Sequence, residues 1–418
     1  MYNLLISFYA FAVWLVSFFS PKVRLMIEGQ RKTFGKLKQG IGKDDRVVWF
    51  HCASLGEFEQ GRPIMERVRK HHPEYKILLT FFSPSGYEVR KNYEGADVVC
   101  YLPFDVNLNV RLFLKMAHPE IGVFIKYEFW YKYLSKAHRR GVKLYSVSSI
   151  FRPTQYFFTP LGRHLLRSLY QFDHFFVQNE QSKALLASNG IDCVTVTGDT
   201  RFDRVLDICN ASADLPLVQQ FCHDHRTFVA GSSWEPDEQI YIPYFSSHRD
   251  WKLIIAPHVI GESHLRNIEK LLDDNGFSHV RYSSMDAAHA PSLRLGGEAD
   301  VLIVDCFGKL SSIYRYATVA LVGGGFGAGI HNVPEAAVYG VPVLFGPNNQ
   351  KFQEAQELMR QGASFEYTDN ETFAAIMDRF LADSSFLAEA GKKAGTYISS
   401  NAGAADVCYQ AIFEKPSE

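Results

Sequence analysis

The chain has 418 residues, too many for one ordinary domain and suited to two α/β domains. At 47% hydrophobic and 21% charged it buries sizeable cores, which excludes a disordered chain. A net charge of -1 excludes a global field that would draw it to nucleic acid or to a membrane, so any basic patch is local.

The first segment differs from the rest. Tyr2 to Ser20 reads YNLLISFYAFAVWLVSFFS and carries no charge. At 1.5 Å per residue it is just long enough to cross a bilayer core. Lys22, Arg24, Arg31, Lys32, Lys36, Lys38 and Lys43 follow, with Glu28 the only acid before Asp44. Basic residues just after a span place that side in the cytoplasm. A signal peptide would instead carry its charge first and end in small residues, unlike Phe18-Phe19-Ser20-Pro21. The expectation is an uncleaved membrane anchor over residues 1–21, with an amphipathic helix lying on the protein or on the membrane surface as the alternative.

From Val47 onward, short apolar runs alternate with helical stretches, the rhythm of a parallel sheet. Strands are expected at 47–50, 76–81, 98–102, 121–125, 143–146, 174–177 and 194–197. After a pause, a second series is expected at 227–230, 252–256, 301–304, 319–322 and 341–344. This predicts an α/β chain with two Rossmann-like domains, at 22–205 and 227–395, joined by a linker at 206–226. A helical segment within 396–418 is expected to cross back to the first domain. The seven cysteines are odd in number and include no C-x-x-C, so they read as reduced core residues, neither disulfides nor metal ligands.

In open α/β sheets, ligands bind beyond the carboxyl ends of the strands, so the loops there are the candidates. The first follows 47–50 and reads HCASLGE, His51 to Glu57. Ser54 and Glu57 have the S-x-x-E spacing of a capping box, in which each side chain satisfies an orphan N–H. A carboxylate at this edge also suits a general base. In the second half, Val319 to Pro347 reads VALVGGGFGAGIHNVPEAAVYGVPVLFGP. Its glycines let backbone N–H groups approach a phosphate closely. Asn332 is placed to cap a helix with Pro334 in its first turn, and such a helix start aims N–H groups at an anion. Gly323, Gly325 and Ala328 also match the G-x-G-x-x-A dinucleotide fingerprint. Against that, the loop runs on through His331 before the helix, and no acid stands about 20 residues later. Gly231-Ser232-Ser233-Trp234, Pro257-His258 with Glu262 and His264 beyond, and Phe307-Gly308-Lys309-Leu310 follow other strands of this half. Together they make a nucleotide pocket. No D-x-D pair and no P-loop is present, which argues for metal-independent chemistry.

HCASLGE, KYEFW (126–130), GDTRFDRV (198–205), GSSWEPDE (231–238), APH (256–258), DCFGKLSSIYRYA (305–317) and VGGGFGAGIHNVPEAA (322–337) occur in order. This set resembles the 3-deoxy-D-manno-octulosonic acid (Kdo) transferases of lipopolysaccharide synthesis. The resemblance implies a GT-B glycosyltransferase fold, two facing Rossmann-like domains with an N-terminal membrane-anchor helix. It implies CMP-Kdo as donor substrate, a lipid A precursor as acceptor, no cofactor, and a site at the cytoplasmic face of the inner membrane. Glu57 falls at the family's general base, beside Ser54 and Gly56, and Glu128 joins them on the acceptor side. His331, Asn332 and Glu335 fall in the donor site, with Ser232, Pro257, His258, Phe307, Gly308, Lys309, Leu310, Gly324 and Gly325. Three departures stand out. Lys309 replaces an acid, no Arg stands between Pro257 and His258, and Arg201 stands where a Lys is usual.

The implied reaction is an inverting displacement. An acceptor hydroxyl gives its proton to Glu57 as it attacks the anomeric carbon, through an oxocarbenium-like transition state. CMP leaves as a phosphate and needs no acid; N–H groups and Arg201 or Lys309 meet its charge. The alternatives are a GT-B enzyme on another nucleotide sugar, an epimerase of that fold, or a non-catalytic lipid A-binding protein.

Overall fold

The computed structural model describes residues 2–160, 162–212, 214–285 and 299–414. Two compact units divide the chain: 1–204 with 401–418, and 205–400.

The first unit holds seven parallel strands in the order β3-β2-β1-β4-β5-β6-β7. They are β1 (Arg46–His51), β2 (Tyr75–Phe81), β3 (Val98–Tyr101), β4 (Ile121–Ile125), β5 (Lys143–Ser149), β6 (His174–Val177) and β7 (Val194–Val196). β1 is central, with Val48 opposite both Ile77 and Ile121. Helices cover both faces, so the apolar runs are nearly continuous rather than alternating. Val47 and Trp49 enter one core with Leu78 and Phe124, while Val48 and Phe50 enter the other with Ile77 and Val123.

The second unit repeats the plan as β10-β11-β9-β8-β12-β13-β14. Its strands are β8 (Arg226–Ser233), β9 (Trp251–Pro257), β10 (His279–Arg281), β11 (Val301–Ile303), β12 (Val319–Val322), β13 (Val343–Phe345) and β14 (Ser364–Glu366). Every pairing in both sheets is parallel. The sequence pattern finds every strand except β10 and β14. Neither contains an apolar run: β10 reads HVR and β14 reads SFE, with one apolar residue each between polar ones. The stretch expected to link the domains holds two helices, Arg201–Ala211 and Pro216–Cys222.

The N-terminal anchor expectation is corrected. Among the described residues no helix is long and apolar enough to cross a membrane. The apolar run forms a helix only over Tyr2–Val16, 15 residues, or about 22 Å against a bilayer core of about 30 Å. The run ends because side chains satisfy the carbonyls of its last turns. The Ser17 hydroxyl donates to Trp14 O (2.6 Å), and Arg24 donates to Ser17 O (3.3 Å) and Phe18 O (3.2 Å). Ser20 and Pro21 then start a second helix, Pro21–Gly40. The first helix lies on its own unit, with the Tyr2 hydroxyl donating to Asp105 and Tyr9 edge-on to Phe104. The single-span inner-membrane location therefore has no helix to support it.

The helix Pro21–Gly40 also closes an open sheet edge. β3 is an edge strand, and its outward carbonyls need donors. Thr33 Oγ1 donates to Tyr101 O (2.8 Å) and Lys36 Nζ to Val99 O (2.9 Å). The last helix, Ala404–Phe413, belongs to the first unit, where Ala405, Cys408 and Tyr409 pack with Val48, Phe50 and Phe58. Asp203 accepts from Gly403 N–H (3.0 Å) at its start.

Thr33 is fully buried, so Thr33→Val keeps the shape and leaves the Tyr101 carbonyl without this donor. The expected cost is about 1–3 kcal/mol, read as a lower urea midpoint with an unchanged slope.

Candidate active site

At the carboxyl end of β1, the backbone leaves the sheet at Cys52 and enters the helix Leu55–His71, with Ser54 as N-cap. The capping box expected from S-x-x-E forms. Ser54 N–H and the Ser54 hydroxyl both donate to Glu57 Oε2, each at 2.6 Å. Glu57 Oε1 takes no hydrogen bond from a described residue. Gly56 is exposed, and a Cβ there would meet only Ser54 Oγ, at 3.9 Å. The helix start beside the carboxylate is therefore open.

Glu128 lies in the turn after β4, the strand next to β1. That turn needs Lys126 in the left-handed region at φ +62°, where Ser149 Oγ donates to its carbonyl (2.9 Å). Glu128 Oε2 accepts from Trp130 Nε1 (2.8 Å) and lies 3.8 Å from Nε2 of His51. Arg201 starts the helix after β7 and is held by Asp199, which accepts from its backbone N–H (2.9 Å) and its Nε (2.8 Å). Asp199 is buried and also accepts from Gln60 Nε2 (2.7 Å). Ser54, Gly56, Glu57, Glu128 and Arg201 thus share the carboxyl edge of the first sheet. Arg201, expected on the donor side, is in the first unit, whereas the other expected donor residues are in the second.

In the second unit the loops after β8, β9, β11 and β12 interlock. Ser232 is left-handed (φ +52°) at the bulge that ends β8. Trp234 follows and stacks on His258, with ring centres 4.9 Å apart, and His258 stacks on His331 at 4.2 Å. Trp234 Nε1 donates to His331 Nε2 (3.2 Å). Burial holds the His258 and His331 imidazoles below their ordinary range, and the charge of His258 lowers His331 further. Asp237 is fully buried and accepts from Trp234 N–H (3.0 Å), Gly324 N–H (3.3 Å) and the Tyr367 hydroxyl (2.7 Å). Burial pushes its carboxyl up, against these hydrogen bonds.

The glycine turn requires its glycines. Gly324 has φ +96°, and a Cβ at Gly325 would stand 2.5 Å from the backbone of Gly346. The expected helix after the turn is short, Val333–Ala337. Asn332 occupies the N-cap position but does not cap with its side chain; Nδ2 donates to Glu335 Oε1 (2.7 Å) instead. Ser311, just past Lys309 and Leu310, donates to Glu335 Oε2 (3.2 Å). Leu310 and Tyr314 pack over Gly231, whereas Phe307 stands 82% exposed beside Gly308 (φ +79°).

The structure therefore brings Ser232, Pro257, His258, Lys309, Leu310, Gly324, Gly325, Asn332 and Glu335 to one sheet edge. Sequence reasoning did not assign roles to Trp234 or His51, although both stand inside quoted motifs. A large aromatic directly after a strand in a small-residue loop was the available signal for Trp234. His264, noted only for its place after β9, is bonded to buried Glu238 (3.0 Å), which also accepts from Ser233 Oγ (2.9 Å).

The hydrogen bond to Glu238 raises the His264 imidazole above its ordinary range. A raised folded value means that its stabilisation is complete below about pH 6.5 and is lost as pH rises through the folded value. The melting temperature should accordingly fall on the alkaline side of about pH 6.5, and His264→Gln should flatten that fall. Parallel curves for the two proteins would remove His264 as the cause.

Known proteins resemble this chain in sequence and in fold. Residues 28–204 match the family model described as 3-Deoxy-D-manno-octulosonic-acid transferase (kdotransferase). The chain is 28% identical over 340 residues to the 3-deoxy-D-manno-octulosonic acid transferase of Chlamydophila psittaci, covering 79% of this chain and 76% of the relative. It is 27% identical over 344 residues to the enzyme of that name from Aquifex aeolicus, covering 80% and 86%. In fold it is similar to the UDP-GlcNAc 2-epimerase of Neisseria meningitidis bound to UDP-GlcNAc, with a TM-score of 0.58 and 14% identity over 85% of this chain and 99% of that one. The doubly wound sheets, the ordered motifs and these matches together give the chain the GT-B fold, place residues 28–204 in the Kdo transferase family and make the chain similar to Kdo transferases over most of its length.

Proposed function

We propose that the chain is an inverting, metal-independent glycosyltransferase that moves Kdo from CMP-Kdo to a lipid A precursor, lipid IVA, with Glu57 as general base. The supporting observation is the division of labour on the Glu57 carboxylate. Oε2 is held by Ser54, and Oε1 is left open at the carboxyl edge of a central strand, beside exposed Gly56. Capping and catalysis then use different oxygens of one side chain. Ser54 fixes the rotamer, and Oε1 takes the proton of the acceptor hydroxyl as its oxygen bonds to the anomeric carbon. The bond to the phosphate of CMP breaks on the opposite face, so one displacement inverts the centre. The phosphate leaves as an anion, which Lys309 is suited to meet. The neutral Trp234, His258 and His331 rings offer a flat surface for the donor.

A lipid acceptor is supported by the N-terminal hairpin. Phe8, Phe11, Phe18 and Phe19 are exposed, and the cationic helix Pro21–Gly40 follows them. Apolar rings next to Lys and Arg suit contact with an anionic bilayer surface, where each cation adds about 1 kcal/mol.

The test is transfer from CMP-Kdo to tetra-acylated lipid A precursor by wild type and Glu57→Gln. Gln serves the capping box as well as Glu, so the melting temperature and CMP-Kdo binding should hold. The rate constant kcat should fall by about 10²- to 10⁴-fold. Unchanged transfer by the variant would leave Glu57 as a cap alone. Transfer from UDP-N-acetylglucosamine in place of CMP-Kdo would overturn the donor.

A further inference from the structure

His51 ends β1 with its side chain fully buried, and its hydrogen bonds leave one proton to be assigned. Nδ1 lies 2.9 Å from Thr80 Oγ1. A threonine hydroxyl has one proton to give and two lone pairs to receive. Thr80 Oγ1 lies 3.2 Å from Phe50 O and accepts from Trp49 Nε1 (2.8 Å), an indole that can only donate. The Thr80 proton goes either to Phe50 O, with Nδ1 donating to the remaining lone pair, or to Nδ1 itself. With its own proton on Nδ1, a neutral ring would leave Nε2 a bare lone pair. It is buried, has no hydrogen-bond partner among the described residues, and lies 3.8 Å from Glu128 Oε2. Two acceptors would face each other, an arrangement that a single proton converts from repulsion to attraction.

We propose that one proton is held between His51 Nε2 and Glu128, making His51 the residue that positions Glu128. Of the other groups around the pair, Thr80 and Trp49 are neutral, Phe124 packs edge-on to the imidazole, and Trp130 donates to Glu128 Oε2. Tyr9, from the first helix, is the titratable group that senses Glu128. Burial and then that charge push its phenol up, so it remains protonated. Trp130 and His51 both address Oε2, which leaves Oε1 for a substrate hydroxyl. That last step rests on Glu128 facing the acceptor, as in the proposed function; the proton assignment does not.

The full-length chain labelled with 15N in its histidine rings gives a direct reading, with the His51 signals identified by their loss in His51→Gln. His51 Nε2 should carry a proton. In Glu128→Gln the new amide can donate to Nε2, so Nε2 should lose its proton and Nδ1 should hold it. A bare Nε2 in the wild type overturns the proposal, as does a doubly protonated ring in Glu128→Gln. In the transfer assay, His51→Leu should raise the acceptor KM about tenfold and leave the donor KM unchanged, and His51→Gln, which keeps a donor, should restore most of it. Equal losses in both variants, together with equal falls in melting temperature, would reduce His51 to a structural residue. If no variant and no wild type transfers Kdo, the proposed function fails while the nitrogen signals still decide where the proton is.

Discussion

The second unit depends on one buried carboxylate. Asp237 has no exposed surface, and its two oxygens receive the Trp234 N–H after β8, the Gly324 N–H after β12 and the Tyr367 hydroxyl after β14. A carboxylate is costly to bury, and it is tolerated here because three donors converge on it. In return it ties together loops that neighbouring strands would otherwise leave separate. The close backbone approaches at Gly323 and Gly325, and the stacking of Trp234, His258 and His331, are possible once those loop ends are fixed. Asp199 has a similar place in the first unit, where it joins the helix Leu55–His71 to the turn that presents Arg201.

The two carboxylates at the first sheet's edge are restrained differently. Glu57 is held locally, by a residue three positions away, and its restraint is part of how the helix begins. Glu128 is held from a distance, by a ring on the adjacent strand and an indole in its own turn. Both lose freedom at one oxygen and keep the other. A carboxylate that must meet a substrate gains from this, because less side-chain entropy remains to be lost on binding.

Much of this was legible in the sequence because parallel strands buried on both faces read as short apolar runs. β1, β4 and β12 are visible in that way. β10 and β14 were not, because HVR and SFE each hold one apolar residue between polar ones and form no apolar run. The Ser54–Glu57 pairing was readable, since a capping box is a local motif. The His51–Glu128 pairing was not, because 51 and 128 become neighbours only through the β1–β4 pairing. The apolar run at 2–20 misled for a related reason. Composition predicts a span of uniform length, but Ser17, Arg24 and Ser20 hydrogen-bond the backbone and stop the helix, and Tyr2 and Tyr9 give it a protein surface to rest on. Asn332 had the residue type of a cap, yet its amide finds a stronger partner in Glu335.

The return of the helix Ala404–Phe413 to the first unit bears on the order in which the protein is made. Ala405, Cys408 and Tyr409 belong to the same core as β1, so that core is incomplete while the chain emerging from the ribosome ends anywhere before residue 404. The second unit lies wholly within that interval and has all of its own strands first. During synthesis the half that begins the chain is therefore the half that matures last. Until then the helix Leu55–His71, which carries Glu57, has one apolar flank uncovered. The nascent protein must keep that flank from other hydrophobic surfaces while an entire domain is translated behind it.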